Sequence, residues 1–200
     1  MEVSAAPGAR PGGTARLSLE VGARIPREQL EGSALLVVER GIVTVVAGES
    51  RRAVVVALAA AGQILAPPGR GELLAALEPA VVSMVSTERY ETLLTRPDGA
   101  RALVTALREA LADRQESLAV FGHVSHVDRV RAKLLQLARR HGRVTPAGVA
   151  IDLPLTHDLL GRMVGSARET VTVAVRDLAA DGFLSRDAGR FVLAVAPEAL

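Results

Sequence analysis

Arg168 and Glu169 are neighbours of opposite charge, with Thr172 and Arg176 following at helical spacing. A guanidinium donates two parallel N–H bonds and matches the O6/N7 edge of guanine, while a carboxylate accepts from the amino group of cytosine. Each such pairing discriminates against a wrong base by roughly 1–3 kcal/mol. Arg168, Glu169 and Thr172 are therefore the candidate base-reading residues, with Thr172 contributing a hydroxyl or an apolar contact. Thr156, His157, Ser166, Arg176 and Arg190 supply hydroxyls, an imidazole and cations suited to phosphate oxygens. The free N–H groups of a helix beginning at Thr156 would add to that set. An Arg-Glu pair alone is weak evidence, because Glu favours any helix start through the helix dipole. Its weight comes from the elements around it.

Those elements are legible. Ile151-Asp-Leu-Pro154 reads as a short strand, and Thr156 supplies the N-cap of a helix through Val164. Leu159, Leu160, Met163 and Val164 give that helix an apolar side. Gly165-Ser166 is a tight turn, and a second helix opens at Ser166 or Ala167, with Val171, Val175, Leu178 and Ala179 on its inner face. Two helices joined by a Gly-containing turn make a helix-turn-helix, whose second helix presents its N-terminal residues to a groove. Phe183 to Gly189 and Arg190 to Val195 then read as a β-hairpin, a wing, with its turn at Asp187 to Gly189.

Further upstream, Val127 to Arg140 is a helix with Val130, Leu134, Leu135 and Leu137 on one face. Before it, Ala100 to His123 is a long helical stretch in which Val104, Leu107, Leu111, Leu118 and Phe121 repeat at spacings of three and four. That is a seam of coiled-coil type, interrupted by Arg114, and a second copy of the chain is its simplest partner. Thr87 to Leu94 is a short helix stopped by Arg96-Pro97-Asp98-Gly99. From Leu17 to Val85 the pattern changes to short β runs: Ala34–Glu39, Ile42–Val46, Ala53–Leu58 and Ala80–Ser86, with turns at Arg40-Gly41 and Gly48-Glu-Ser50. Close strand spacing suggests a small barrel or roll. Residues 1–16, rich in Ala, Pro, Gly and Arg, are expected to be a disordered leader.

Composition narrows the function classes. The chain has 200 residues, 49% apolar and 23% charged, and aromatics at 2% are too few for base-stacking platforms. With no cysteine there are no disulfides, iron–sulfur clusters, thiolate zinc sites or thiol nucleophile. All four histidines follow residue 120. His123 and His126 share a spacing of three, but no third ligand completes a metal site, so no metal and no cofactor are expected. Residues 1–120 carry 13 basic and 14 acidic side chains, and 121–200 carry 11 and 8; six basic residues and no acid lie between Arg129 and Arg143. Of the 24 basic residues only Lys133 is a lysine. No Ser-His-Asp, metal-ligand or P-loop constellation is present, so an enzyme is not expected. No run is long enough to cross a membrane, and the first residues lack an apolar signal segment, so the expected location is cytoplasmic.

Leu155-Thr-His-Asp-Leu-Leu-Gly-Arg-Met-Val-Gly-Ser-Ala-Arg-Glu-Thr-Val171 resembles the signature of the Crp/Fnr superfamily of bacterial transcription regulators, the cyclic-AMP receptor protein type. Val38 to Val45, Ala61-Gly-Gln-Ile64, Val85 to Pro97 and Val127 to Ala138 resemble successive parts of the same family. The resemblance implies an α+β chain: a jelly-roll-like β-roll over 17–97, a long dimerisation helix over 98–124 and a winged helix-turn-helix over 125–200. It also implies a homodimer binding an inverted repeat. The partners it implies are double-stranded DNA, a second copy of the chain and RNA polymerase. Two departures stand out. Where cyclic-nucleotide-binding members cradle the phosphate with a Gly-Glu loop, a short helix, Arg and a small hydroxyl residue, this sequence has only Pro67-Pro-Gly-Arg-Gly-Glu72 before Leu73. Val173 stands where several members carry a second Arg. A response to cyclic nucleotide is therefore not expected. A sensor of another small molecule, or a protein-interaction adaptor, are the alternative readings.

Overall fold

The computed structural model describes residues 14–48 and 53–200. The first thirteen residues of the expected leader and Glu49-Ser50 of the expected turn lie outside the described residues. The chain divides into two compact units, Met1–Arg114 and Gln115–Leu200.

The first unit is a roll of eight strands: β1 (Ala15–Leu19), β2 (Arg24–Pro26), β3 (Ser33–Arg40), β4 (Ile42–Ala47), β5 (Val54–Ala60), β6 (Ile64–Leu65), β7 (Glu72–Ala76) and β8 (Ala80–Ser86). They form two antiparallel sheets of four, ordered β1-β8-β3-β6 and β2-β7-β4-β5. Of the consecutive strands only β4 and β5 pair with each other; every other connection carries the chain from one sheet to the opposite one. Gly41 alone makes the shortest of these connections, between Arg40 of β3 and Ile42 of β4. Its φ is +75°, and a Cβ there would clash with the carbonyl oxygen of Pro79. The expected Arg40-Gly41 turn is thus a crossover between sheets. Leu36 and Val38 from β3, Val43 and Val45 from β4, Leu74 from β7 and Val82 from β8 meet in the core. Sheet pairs packed this way carry one apolar face each, so the inward residues alternate along a strand. β1 begins at Ala15, so the last two residues of the expected leader belong to the roll.

Ser86 caps α1 (Thr87–Leu94), accepting from the Arg89 N–H at 3.3 Å. The next helix, α2 (Pro97–Ala119), starts three residues before the expected Ala100. Pro97 is compatible with a first helical position, where φ near −65° is required and no N–H is needed. Leu103 of α2 is the inward residue, buried with Leu35 and Val85 beside Tyr90. After Ala119 the helix tightens into a 3₁₀ turn, Val120–Gly122.

The second unit holds α3 (His126–His141), β9 (Gly142–Thr145), β10 (Gly148–Ile151), α4 (His157–Val164), α5 (Arg168–Ala180), β11 (Leu184–Asp187) and β12 (Arg190–Leu193). Its strands form one antiparallel sheet, β11-β12-β10-β9. The expected strand Ile151–Pro154 is displaced: β10 ends at Ile151, and Asp152 N–H instead donates to the carbonyl of His141. Val130, Leu134 and Leu137 of α3, Leu160 and Met163 of α4 and Val171 and Leu178 of α5 are buried, together with Phe191 and Leu193 of β12. Three helices over a small sheet therefore share one core. Among the described residues no helix is long and apolar enough to cross a membrane.

Candidate nucleic-acid interface

Two local devices set the α4–α5 geometry. Thr156 Oγ1 accepts from the Leu159 N–H at 3.1 Å and so caps α4 at its start. Gly165 ends α4 in the left-handed region at φ +64°, where only glycine avoids a steric cost. Phe121 closes on this turn: a Cβ on Gly165 would stand 2.8 Å from its ring. Helix α5 then begins at Arg168, with Ala167 at the cap position and no side chain capping it. The Ser166 hydroxyl bonds instead to His126 Nδ1 at 2.8 Å.

Arg168 and Glu169 are exposed in the first turn of α5. Neither side chain makes a hydrogen bond or ion pair among the described residues, so the fork and the carboxylate are both free to meet a partner. Thr172 is exposed one turn further on. Its hydroxyl donates to the Arg168 carbonyl at 2.9 Å and lies 2.9 Å from His157 Nδ1. Arg176 is exposed and paired with its neighbour Asp177 at 3.1 Å, and Arg190 pairs with Asp152. Their positive charge is therefore partly balanced within the unit.

The wing is the β11–β12 hairpin. Its two-residue turn is Ala188-Gly189, with φ +46° and +80°, and Asp187 pairs with Arg190 across it. Two positive φ values in succession match the turn that suits the twist of hairpin strands. Arg186 of β11 was not singled out by sequence. It lies over the Phe191 ring at 4.2 Å, donates to the Gly189 carbonyl at 3.2 Å and reaches His157 Nε2 at 3.1 Å. The His157 ring in turn stacks on Phe191, with centroids 6.2 Å apart. Burial and then the charges of Arg186 and Arg168 hold the His157 imidazole below its ordinary pKa. Val173, which the resemblance places where several members carry a second Arg, is 47% exposed on α5. With Val124 and Glu169 it edges a groove between the start of α3 and α5.

Of the expected seam, Val104, Leu107, Leu111 and Leu118 are exposed on α2, and Phe121 is 38% exposed on the 3₁₀ turn. Arg114, which interrupts the seam, pairs with Glu72 at 3.0 Å. The other oxygen of Glu72 accepts from the Gly69 N–H at 2.7 Å. His126 Nδ1 is engaged by the Ser166 hydroxyl, and no cluster of three or more His, Cys, Asp or Glu is present among the described residues.

Residues 128–200 match the family model of the Crp-like helix-turn-helix domain. The chain is 31% identical over 112 residues to the CRP-like cAMP-activated global transcriptional regulator of Mycobacterium tuberculosis, covering 56% of this chain and 50% of that protein. The aligned stretches span 40–50% of the length of the curated relatives it matches. Among solved structures, a CooA variant from Carboxydothermus hydrogenoformans superposes with TM-score 0.76 at 20% identity, covering 93% of this chain and 85% of that one. A transcriptional regulator of the CRP/FNR family from Thermus thermophilus gives 0.67 at 21% identity, over 92% and 95%. Residues 128–200 thus match the Crp-like helix-turn-helix domain, and the chain as a whole has the fold of the solved CRP/FNR regulator from Thermus thermophilus.

Proposed function

We propose that the chain is a sequence-specific transcription regulator that binds double-stranded DNA as a homodimer, on an inverted repeat, without needing cyclic nucleotide. The observation that carries this reading is the pair Arg168 and Glu169, exposed in the first turn of α5 with neither side chain hydrogen-bonded or ion-paired among the described residues. Arg168 reads a guanine edge and Glu169 a cytosine amino group, with Thr172 at the next step. Thr156, His157, Ser166 and Arg190 lie on the segments that flank α5, and Arg176 lies on α5 itself two turns after Arg168; phosphate contacts from these positions would fix register. In this reading Val104, Leu107, Leu111, Leu118 and Phe121 form the interface between two copies. Two heads then engage half-sites about one helical turn apart.

Independence from cyclic nucleotide is supported by the roll itself. Residues 66–71 run from β6 into β7 with no helix between them, and both oxygens of Glu72 are engaged, by Arg114 and the Gly69 N–H. A phosphate clamp needs a charge and several convergent donors. Arg70 is the sole basic residue from Ala53 to Glu88. Regulation is by occupancy of the operator or by contact with RNA polymerase, and no catalytic step is assigned.

Selection of bound duplexes from a random pool by the purified chain, with no effector added, tests the reading. An enriched inverted repeat is the expected result. A folded, dimeric protein that enriches nothing would reject it.

A further inference from the structure

We propose that His157 is a positioning residue: it ties the wing to the DNA-reading face of α5 through one hydrogen-bonded relay, so that the base contact of Thr172 and the placement of Arg186 are set together. The inference rests on the DNA-binding reading above and assigns His157 a task other than phosphate contact.

The direction of each bond in the relay follows from the chemistry of its ends. A guanidinium has donors and no acceptor. The Arg186 Nη2–His157 Nε2 contact at 3.1 Å therefore requires a lone pair on Nε2. The proton of the neutral ring then sits on Nδ1, 2.9 Å from Thr172 Oγ1, and donates to it. Thr172 passes its own hydroxyl hydrogen to the Arg168 carbonyl at 2.9 Å. Every donor in the series has one acceptor, and the order runs from wing to α4 to α5. Phe191 supports it from below, stacked on the His157 ring and under the Arg186 guanidinium.

Two consequences follow for recognition. The Thr172 hydroxyl has no hydrogen left to give, so toward a base it acts as an acceptor or presents its methyl; it is not a donor to guanine O6 or N7. Arg186, held at the edge of the wing by His157 and the Gly189 carbonyl, is pre-placed for a phosphate without ordering a free side chain on binding. The residues joined are 15 and 29 positions apart in sequence. The relay therefore joins separate elements of the unit.

The two ring nitrogens can be tested apart. In His157→Asn the amide N–H takes the place of Nδ1–H, which keeps the Thr172 bond and releases Arg186. In His157→Gln the amide oxygen takes the place of Nε2, which keeps Arg186 and releases Thr172. With each variant checked for native thermal unfolding, affinities are measured for the selected operator, for the operator altered at the Thr172 step, and for random duplex. His157→Asn should weaken operator and random DNA alike, by about two- to tenfold, and keep its discrimination at that step. His157→Gln should bind random DNA as the parent does and lose about two- to tenfold of discrimination. Equal effects of the two variants, or none, would overturn the proposal. Nitrogen NMR of the histidine rings in the DNA-free chain at pH 7.5 reads the relay directly. A neutral ring protonated on Nδ1 supports it, and a ring protonated on Nε2 overturns it. A parent chain that binds no duplex would reject the DNA reading and the positioning role with it, while the ring tautomer would still report whether the relay exists.

Discussion

Phe121 lies against Gly165, the residue that ends α4 at φ +64°; a Cβ on Gly165 would stand 2.8 Å from the Phe121 ring. The glycine is thus required twice, once by the backbone and once by the ring. Gly165→Ala should destabilise the chain by about 1–3 kcal/mol, through left-handed strain and crowding together. In a Phe121→Ala background the crowding is gone and the added cost of Gly165→Ala should shrink to the strain alone. Urea unfolding of the four proteins in this cycle gives the coupling; additive losses would show that ring and turn do not interact.

Thr156 has one measurable structural duty before any phosphate contact, the cap on the Leu159 N–H. Thr156→Ala should lower stability by about 1 kcal/mol, and Thr156→Ser should restore most of it. Thermal unfolding of the three proteins reads the difference.

Arg168 and Arg190 should separate in DNA binding. Arg168→Ala should narrow the gap between operator and random duplex by about 1–3 kcal/mol. Arg190→Ala should weaken both alike, and only modestly, because Asp152 already balances that charge. Titrations at several salt concentrations would show the slope reduced for a residue that meets phosphate. An unchanged operator preference in Arg168→Ala would remove it from the base-reading set.

Leu111 is 57% exposed on α2 and makes a clean test of the homodimer. Leu111→Asp should leave the stability of the single chain within about 0.5 kcal/mol, as expected for a surface site. The same change should halve the molar mass in solution, as light scattering after size-exclusion chromatography would read it. A parent protein already monomeric at tens of micromolar would reject the interface.

Stability should also depend on pH in a defined direction. Burial, then the Arg140 charge, lowers the pKa of His141; burial, then Arg186 and Arg168, lowers that of His157. Both imidazoles ordinarily titrate near 6.5, so below that pH the unfolded chain binds more protons than the folded one. The stabilisation is complete above about pH 6.5 and is lost as pH falls toward the folded-state values. Unfolding midpoints at pH 7.5 and 5.5 should differ in that sense, and less so in His141→Gln.

The helix-turn-helix was legible because its signals are local: a Thr cap, a Gly at a left-handed stop and apolar residues at helical spacing all lie within a few residues of each other. The roll was legible as a class and poorly as elements. β2 has three residues and β6 two, too short to show alternation, and the first two residues of β1, Ala15 and Arg16, fall where composition alone suggests a leader. The start of α2 was missed because Pro97 reads as a stop for α1, although the same residue suits a helix start. The Arg190–Asp152 pair and the His157 bonds to Thr172 and Arg186 join different elements, and no spacing rule reaches them.

Lys133, the single lysine of the sequence, is 4% exposed in α3, its ammonium 2.7 Å from Gln136 Oε1 and 2.9 Å from Ser117 Oγ. Amine-directed cross-linkers and labels would therefore find no lysine handle on the native surface. A lysine-specific protease would have one site, and that site is shut. Cleavage there would need the second unit to open, so the rate of a single cut, followed on a gel, becomes a reporter of opening in that unit with no probe attached.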